Sequence, residues 1–154
     1  MIDEREVLRT WLDLLTAANA LKKSVDTGFR NEFGMSISRF DVLSALDRAG
    51  PEGLRAGALS QRLRVTEGNT TQVTAPLIRE GLVKRSTDPE DKRGAVFRLT
   101  RKGEKLFAKM ADAHRQWIVD AFAEFSEPQL KSLRRLLGRL DAPGDVAAAK
   151  KDAA

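Results

Sequence analysis

The 154-residue chain contains no cysteine and a single histidine, His114. The first absence excludes disulfides, thiolate nucleophiles, thiol-based redox sensing and thiolate metal sites. The second leaves a zinc or other transition-metal centre short of ligands, since such centres take several N or S donors, so no metal or cofactor is expected. Long apolar runs are missing too, and nothing approaches the roughly twenty residues needed to cross a bilayer. The amino end, Met1-Ile2-Asp3-Glu4-Arg5-Glu6, is acidic and lacks the basic-then-apolar order of a secretory signal. The expectation is a soluble, cytoplasmic protein without membrane contact, folded as one domain. Catalytic machinery is equally sparse. There is no Gly-rich phosphate loop, the lone histidine has no evident partner, and the carboxylates fall mainly on solvated helix faces, so no enzyme activity is expected.

What is present is positive charge, unevenly spread. Residues 1–50 hold 7 Lys/Arg against 8 Asp/Glu, residues 51–105 hold 12 against 7, and residues 106–154 hold 8 against 7. The formal net charge of +5 therefore sits in the middle third. A localised basic surface is the footprint of a polyanion-binding face.

Apolar spacing divides the chain into helices around one hairpin. Val7, Trp11, Leu14, Ala18, Leu21, Val25 and Phe29 recur at steps of three and four, one stripe of a long helix that breaks near Gly34. Ser38 followed by Asp41 reads as a capping-box variant opening a second helix over Phe40, Val42, Leu43 and Leu46, closed by Gly50-Pro51. A short helix over Gly57 to Leu63 and a tight turn at Arg64-Val65 lead to Thr66, the N-cap of a fourth helix ending near Gly81. Two short apolar stretches, 82–85 and 95–99, flank a polar segment and read as a hairpin with a charged tip. Thr100 and Ser126-Glu127-Pro128-Gln129 open two further helices, on which Leu106, Met110, Ala113 and Trp117, then Leu130, Leu133, Leu137 and Leu140, repeat. Beyond Pro143 the Ala/Lys/Asp tail has nothing to bury, and disorder is expected over 143–154.

Two helices joined by a tight turn and followed at once by a hairpin make a winged helix-turn-helix over residues 57–99. On its exposed face the fourth helix offers Gly68, Thr71, Gln72, Ala75 and Arg79, with Asn69 on the flank, if Val73 and Leu77 are buried. Gln72 can offer a paired donor and acceptor to adenine, Thr71 can bond base edges or phosphate, and Ala75 can touch a thymine methyl. Gly68 permits close backbone approach, and Asn69 stands near the helix start, where free N–H groups attract phosphate. Pro76 is expected to kink or shorten this helix. Arg62, Arg64, Lys84 and Arg85 would supply phosphate contacts, which position without reading sequence. At the wing tip Arg93 is suited to a minor groove, with Lys92 beside it and Asp91 orienting the guanidinium.

The hairpin and its flanks, Asp91-Lys92-Arg93, Phe97, Leu99-Thr100 and Gly103, resemble the wing signature of the MarR (multiple antibiotic resistance regulator) family, Asp-x-Arg, three residues, an apolar residue, then x-Leu-Thr-x-x-Gly. The helix order outside the wing is similar as well, so the likeness runs over roughly residues 5–142. It implies a mainly α fold with a small β-hairpin wing: a winged helix-turn-helix core over about 36–100 within a single domain, 1–142, and dimerisation helices over about 4–33 and 101–141. It implies a repressor that binds a pseudo-palindromic operator in double-stranded DNA as a homodimer. The apolar stripes at both chain ends, wider than one small domain can cover, suit that dimer. The resemblance further implies a small-molecule effector, an aromatic carboxylate or its coenzyme A thioester, and the opening Gly68-Asn69-Thr70-Thr71 looks like that of regulators of such metabolism. Arg30, Arg39, Phe40, His114 and Trp117 are the candidate lining, with core packing the competing explanation for His114 and Trp117. The remaining alternative is a winged-helix adaptor that binds protein without an effector. The basic middle third and the complete Asp-x-Arg wing argue against it.

Overall fold

The computed structural model describes residues 1–88, 90, 91 and 94–140. The tail expected to be disordered, 143–154, lies outside the described residues, as do Lys92 and Arg93 at the wing tip. The chain divides into two compact units, Met1–Trp117 and the residues from Ile118 onward.

In the first unit, helix α1 runs from Glu4 to Phe33. Asp3 caps its start by accepting from Arg5 N–H, and Gly34 ends it in the left-handed conformation (φ 63°). There Gly34 N–H reaches Arg30 O and Met35 N–H reaches Phe29 O, which satisfies the last carbonyls. Helix α2 spans Ile37–Ala49. Its cap is Ser36, which accepts from Arg39 N–H, and not the expected Ser38. The shift has a tertiary cause: Asp26 on α1 accepts the Ile37 N–H at 2.8 Å and takes up a free donor of the first turn from outside. The Arg30 guanidinium and that N–H hold the Asp26 carboxyl below the usual carboxylate range.

Strand β1, Leu54–Arg55, precedes α3, Ala56–Leu63. Two residues are too few for any periodicity to announce, and β1 is absent from the sequence reading. After Arg64, in the left-handed region at φ 54°, helix α4 runs from Glu67 to Arg79. Strands β2, Val83–Thr87, and β3, Ala95–Leu99, form the expected hairpin. The antiparallel sheet has the order β1-β3-β2, with Leu54 opposite Phe97 and Arg85 opposite the same residue on the other side. Helix α5, Arg101–Ala121, follows directly.

Phe29, Leu43, Leu46, Leu59, Leu77 and Met110 are fully buried and draw α1 through α5 around one core, each contributing about 1.5–3 kcal/mol of transfer free energy. At the join of sheet and α5, Thr100 donates its hydroxyl to Gly81 O (2.6 Å) and accepts from Gly103 N–H (3.0 Å). Gly103 lies so close to the chain that a Cβ on it would fall 2.0 Å from Leu82 O. The Thr and Gly of the wing signature are thus one packing device.

The second unit holds α6, Glu127–Leu137. Ser126 and Gln129 form the expected capping box: Gln129 N–H donates to the serine hydroxyl and Ser126 N–H to Gln129 Oε1. No helix among the described residues is long and apolar enough to cross a membrane.

Candidate nucleic-acid interface

Helices α3 and α4 and the turn between them form the helix-turn-helix. Thr66 caps α4 by accepting from Asn69 N–H at 3.3 Å. The buried side of α4 is Thr70, Thr74 and Leu77, with Val73 only half-buried. Relative to the expected setting on Val73 and Leu77, the buried line falls one residue further along in its first two turns. Each threonine satisfies its own hydroxyl inside the helix, Thr70 on Thr66 O (3.2 Å) and Thr74 on Thr70 O (2.8 Å). Methyl groups can then face the core without an orphaned donor. Thr70 also meets Ser60 of α3, hydroxyl to hydroxyl at 2.9 Å, both nearly inaccessible. This polar contact joins the two helices where an apolar one would be usual.

The opposite face keeps Gly68, Asn69, Thr71, Gln72 and Arg79 exposed, while Ala75 is half-buried. Thr71, exposed, returns its hydroxyl to Glu67 O at 3.1 Å and keeps its acceptor capacity. Asn69 and Gln72 share a groove with Ser38, Asp41, Leu63 and Val65, and Asn69 also borders the turn with Gln61 and Arg64. Residues 69 and 72 are therefore brought together with the start of α2 and the α3–α4 turn. Arg79 stands at the other end of α4, about 10 Å along the axis from Gln72. Arg62 opens into a separate recess with Ser44 and Arg48. Lys84 and Arg85 are exposed on β2. Pro76 does not shorten the helix, which continues to Arg79 and carries the fully buried Leu77 past it.

One residue that the sequence reading passed over, Arg55, belongs to the root of the wing. Arg55 of β1 forms an ion pair with Asp88, and Asp88 Oδ1 accepts the Glu90 N–H at 2.9 Å. That N–H, and next the Arg55 guanidinium, hold the Asp88 carboxyl below the usual range. Asp88 stands in the polar segment between the two apolar stretches of the hairpin, but its partner lies on a strand with no sequence signal.

The effector candidates occupy different settings. Phe40 is buried, with its ring 4.5 Å from Phe29, 5.0 Å from His114 and 5.6 Å from Phe107. Trp117 packs edge-on to Phe29 at 5.1 Å, over Gly28, where a Cβ would lie 2.8 Å from the indole. Both arginines have carboxylate partners: Arg30 pairs with Asp26 at 2.8 Å, and Arg39 with Glu80, at the end of α4, at 3.1 Å.

Residues 33–94 match the sequence pattern of the MarR family. An uncharacterized HTH-type transcriptional regulator of Bacillus subtilis, YkoM, is 33% identical over 137 residues, 88% of each chain. Among solved structures, Sco3205 of Streptomyces coelicolor, a MarR family transcriptional regulator in complex with DNA, superposes with a TM-score of 0.79 at 26% identity, covering 89% of this chain and 86% of its own. A mutant MarR of Escherichia coli complexed with operator DNA shares the fold, with a TM-score of 0.77 at 18% identity over 90% of this chain and 98% of its own. These relatives are regulators and not enzymes. Helix-turn-helix, wing and relatives together identify the chain as a member of the MarR family of winged helix-turn-helix transcriptional regulators.

Proposed function

We propose that the chain is a cytoplasmic repressor that binds a pseudo-palindromic operator as a homodimer and is released by a small aromatic acid or its coenzyme A thioester. The observation that carries the DNA-binding reading is the exposed row Asn69, Thr71 and Gln72 on a helix anchored from behind by Thr70, Thr74 and Leu77. Side chains on the first two turns of such a helix can reach base edges in a major groove. Arg62, Arg64, Lys84 and Arg85 neutralise phosphates, and Arg93, with Lys92 and Asp91, engages the minor groove from the wing. That Sco3205, a MarR family regulator of similar fold, is in complex with DNA supports the DNA-binding reading.

A dimer is supported by the apolar side chains that each unit leaves exposed: Val7, Leu8, Trp11 and Leu12 on α1, and Leu136 and Leu137 on α6. A second copy would cover them and space two α4 helices about 34–36 Å apart, one turn of duplex.

The effector reading rests on the family resemblance and on the ring cluster of Phe40, His114 and Trp117. An aromatic ligand would stack there, and its carboxylate would take Arg39 from Glu80, loosening the end of α4. Arg30 would supply a second cation.

The test is a comparison of Gln72→Ala with Arg93→Ala across operator variants. Gln72→Ala is expected to change preference at particular base pairs, by about 1–3 kcal/mol. Arg93→Ala is expected to weaken all duplexes and to flatten the salt dependence. Equal loss on every sequence from both changes would contradict these roles. Aromatic carboxylates and their coenzyme A thioesters that all leave the duplex complex intact would count against this effector.

A further inference from the structure

We infer that Arg55 and Asp88 act as a clamp that presets the wing for DNA. This rests on the reading that the wing contacts the duplex. The clamp is a property of the three-stranded sheet. β1 and β2 lie on opposite sides of β3, Arg55 sits opposite Val96, and Asp88 directly follows Thr87, the last residue of β2. The ion pair therefore passes across the end of β3 and ties the two outer strands together at the root of the wing.

Asp88 is placed for this task by more than charge. It is 6% exposed, whereas the Arg55 side chain is 56% exposed. Its own N–H donates to Gly94 O (2.9 Å), its Oδ1 accepts from Glu90 N–H (2.9 Å), and Gly94 N–H donates to Asp91 O (2.9 Å). Both chains entering the wing tip are thus pinned through one residue, and a Cβ on Gly94 would lie 3.4 Å from Asp88 Cβ. A carboxylate so enclosed keeps its place while a cation is beside it. Strand β1, pairing with β3, carries that cation to the root of the wing.

A hairpin without the clamp would sample more poses, and apparent affinity falls with the fraction that is competent. A wing competent about a tenth of the time binds about tenfold more weakly. Arg55 and Asp88 need not touch DNA, so they are positioning residues, and their effect must vanish when the wing contact itself is gone.

The experiment measures duplex affinity and melting temperature for Arg55→Gln, Arg55→Lys and Asp88→Asn, each alone and combined with Arg93→Ala. Asp88→Asn keeps an acceptor for Glu90 N–H and guards against simple unfolding. The expected result is a loss of about tenfold for Arg55→Gln and Asp88→Asn, near-native binding for Arg55→Lys, and no further loss from either when Arg93 is already alanine. If Arg93→Ala weakens binding while Arg55→Gln and Asp88→Asn leave it within about twofold, the clamp is overturned and the wing reading stands. Equal losses with and without Arg93 also overturn it, because the pair would then be acting on the whole fold. An Arg93→Ala protein that binds as tightly as the parent overturns the wing reading first, and the clamp with it.

Discussion

His114 lies among the rings of Phe29 and Phe40, half-buried, and that burial lowers its pKa below the usual imidazole range while the nearby Asp41 carboxylate opposes the shift. The folded protein therefore favours the neutral ring. Below the ordinary imidazole pKa of about 6.5 the unfolded chain takes up a proton that the folded chain resists, so this contribution is complete above that pH and is lost as pH falls below it. Exchanging His114→Gln is predicted to shrink the drop in melting temperature between about pH 8 and about pH 5.5. An identical drop in both proteins would show that the ring does not titrate against folding. Gly103 makes a second residue-scale prediction. With Leu82 O 2.0 Å from where a Cβ would sit, Gly103→Ala must push α5 away from the start of β2, at a cost of about 2–3 kcal/mol in denaturant unfolding. A change under about 0.5 kcal/mol would contradict the close approach. The sequence showed this glycine only as a letter in a pattern. Its reason, backbone against backbone across some twenty residues, needed the fold.

At the scale of elements, the helices, the hairpin and the Thr66 and Ser126 caps were legible because each depends on neighbours in sequence. The rotation of α4 was not. Threonine scores as polar, so the line Thr70, Thr74, Leu77 is hidden, and the eye settles on Val73 instead. Only the hydroxyl bonds back to the preceding turn, and the partner Ser60 on α3, make the buried setting comprehensible. The cap of α2 failed for the same kind of reason, since Asp26 is eleven residues away from the N–H it accepts. The Ser60–Thr70 contact leads to a coupling prediction. Ser60→Ala and Thr70→Val should each cost about 1 kcal/mol, and the double variant measurably less than their sum. Strict additivity would mean that the two hydroxyls serve only their own helices.

For the whole molecule, the middle-third charge excess and the apolar ends were both visible in composition, whereas the partition of α1 was not: Val25 and Phe29 belong to the core and Val7 to Leu12 remain outside it. On the proposed dimer, Trp11→Glu with Leu12→Glu should yield a monomer by light scattering at micromolar concentration and weaken operator binding steeply. A parent protein already monomeric there would refute the dimer. The central claim, a regulator that grips duplex DNA through a basic winged face, is tested most directly by titrating duplex affinity with salt. Six cations per protomer, Arg62, Arg64, Lys84, Arg85, Lys92 and Arg93, predict that log affinity falls against log salt with a slope of roughly −5 per protomer and about −11 for a dimer. An affinity indifferent to salt, or no measurable duplex binding at low salt, would contradict it.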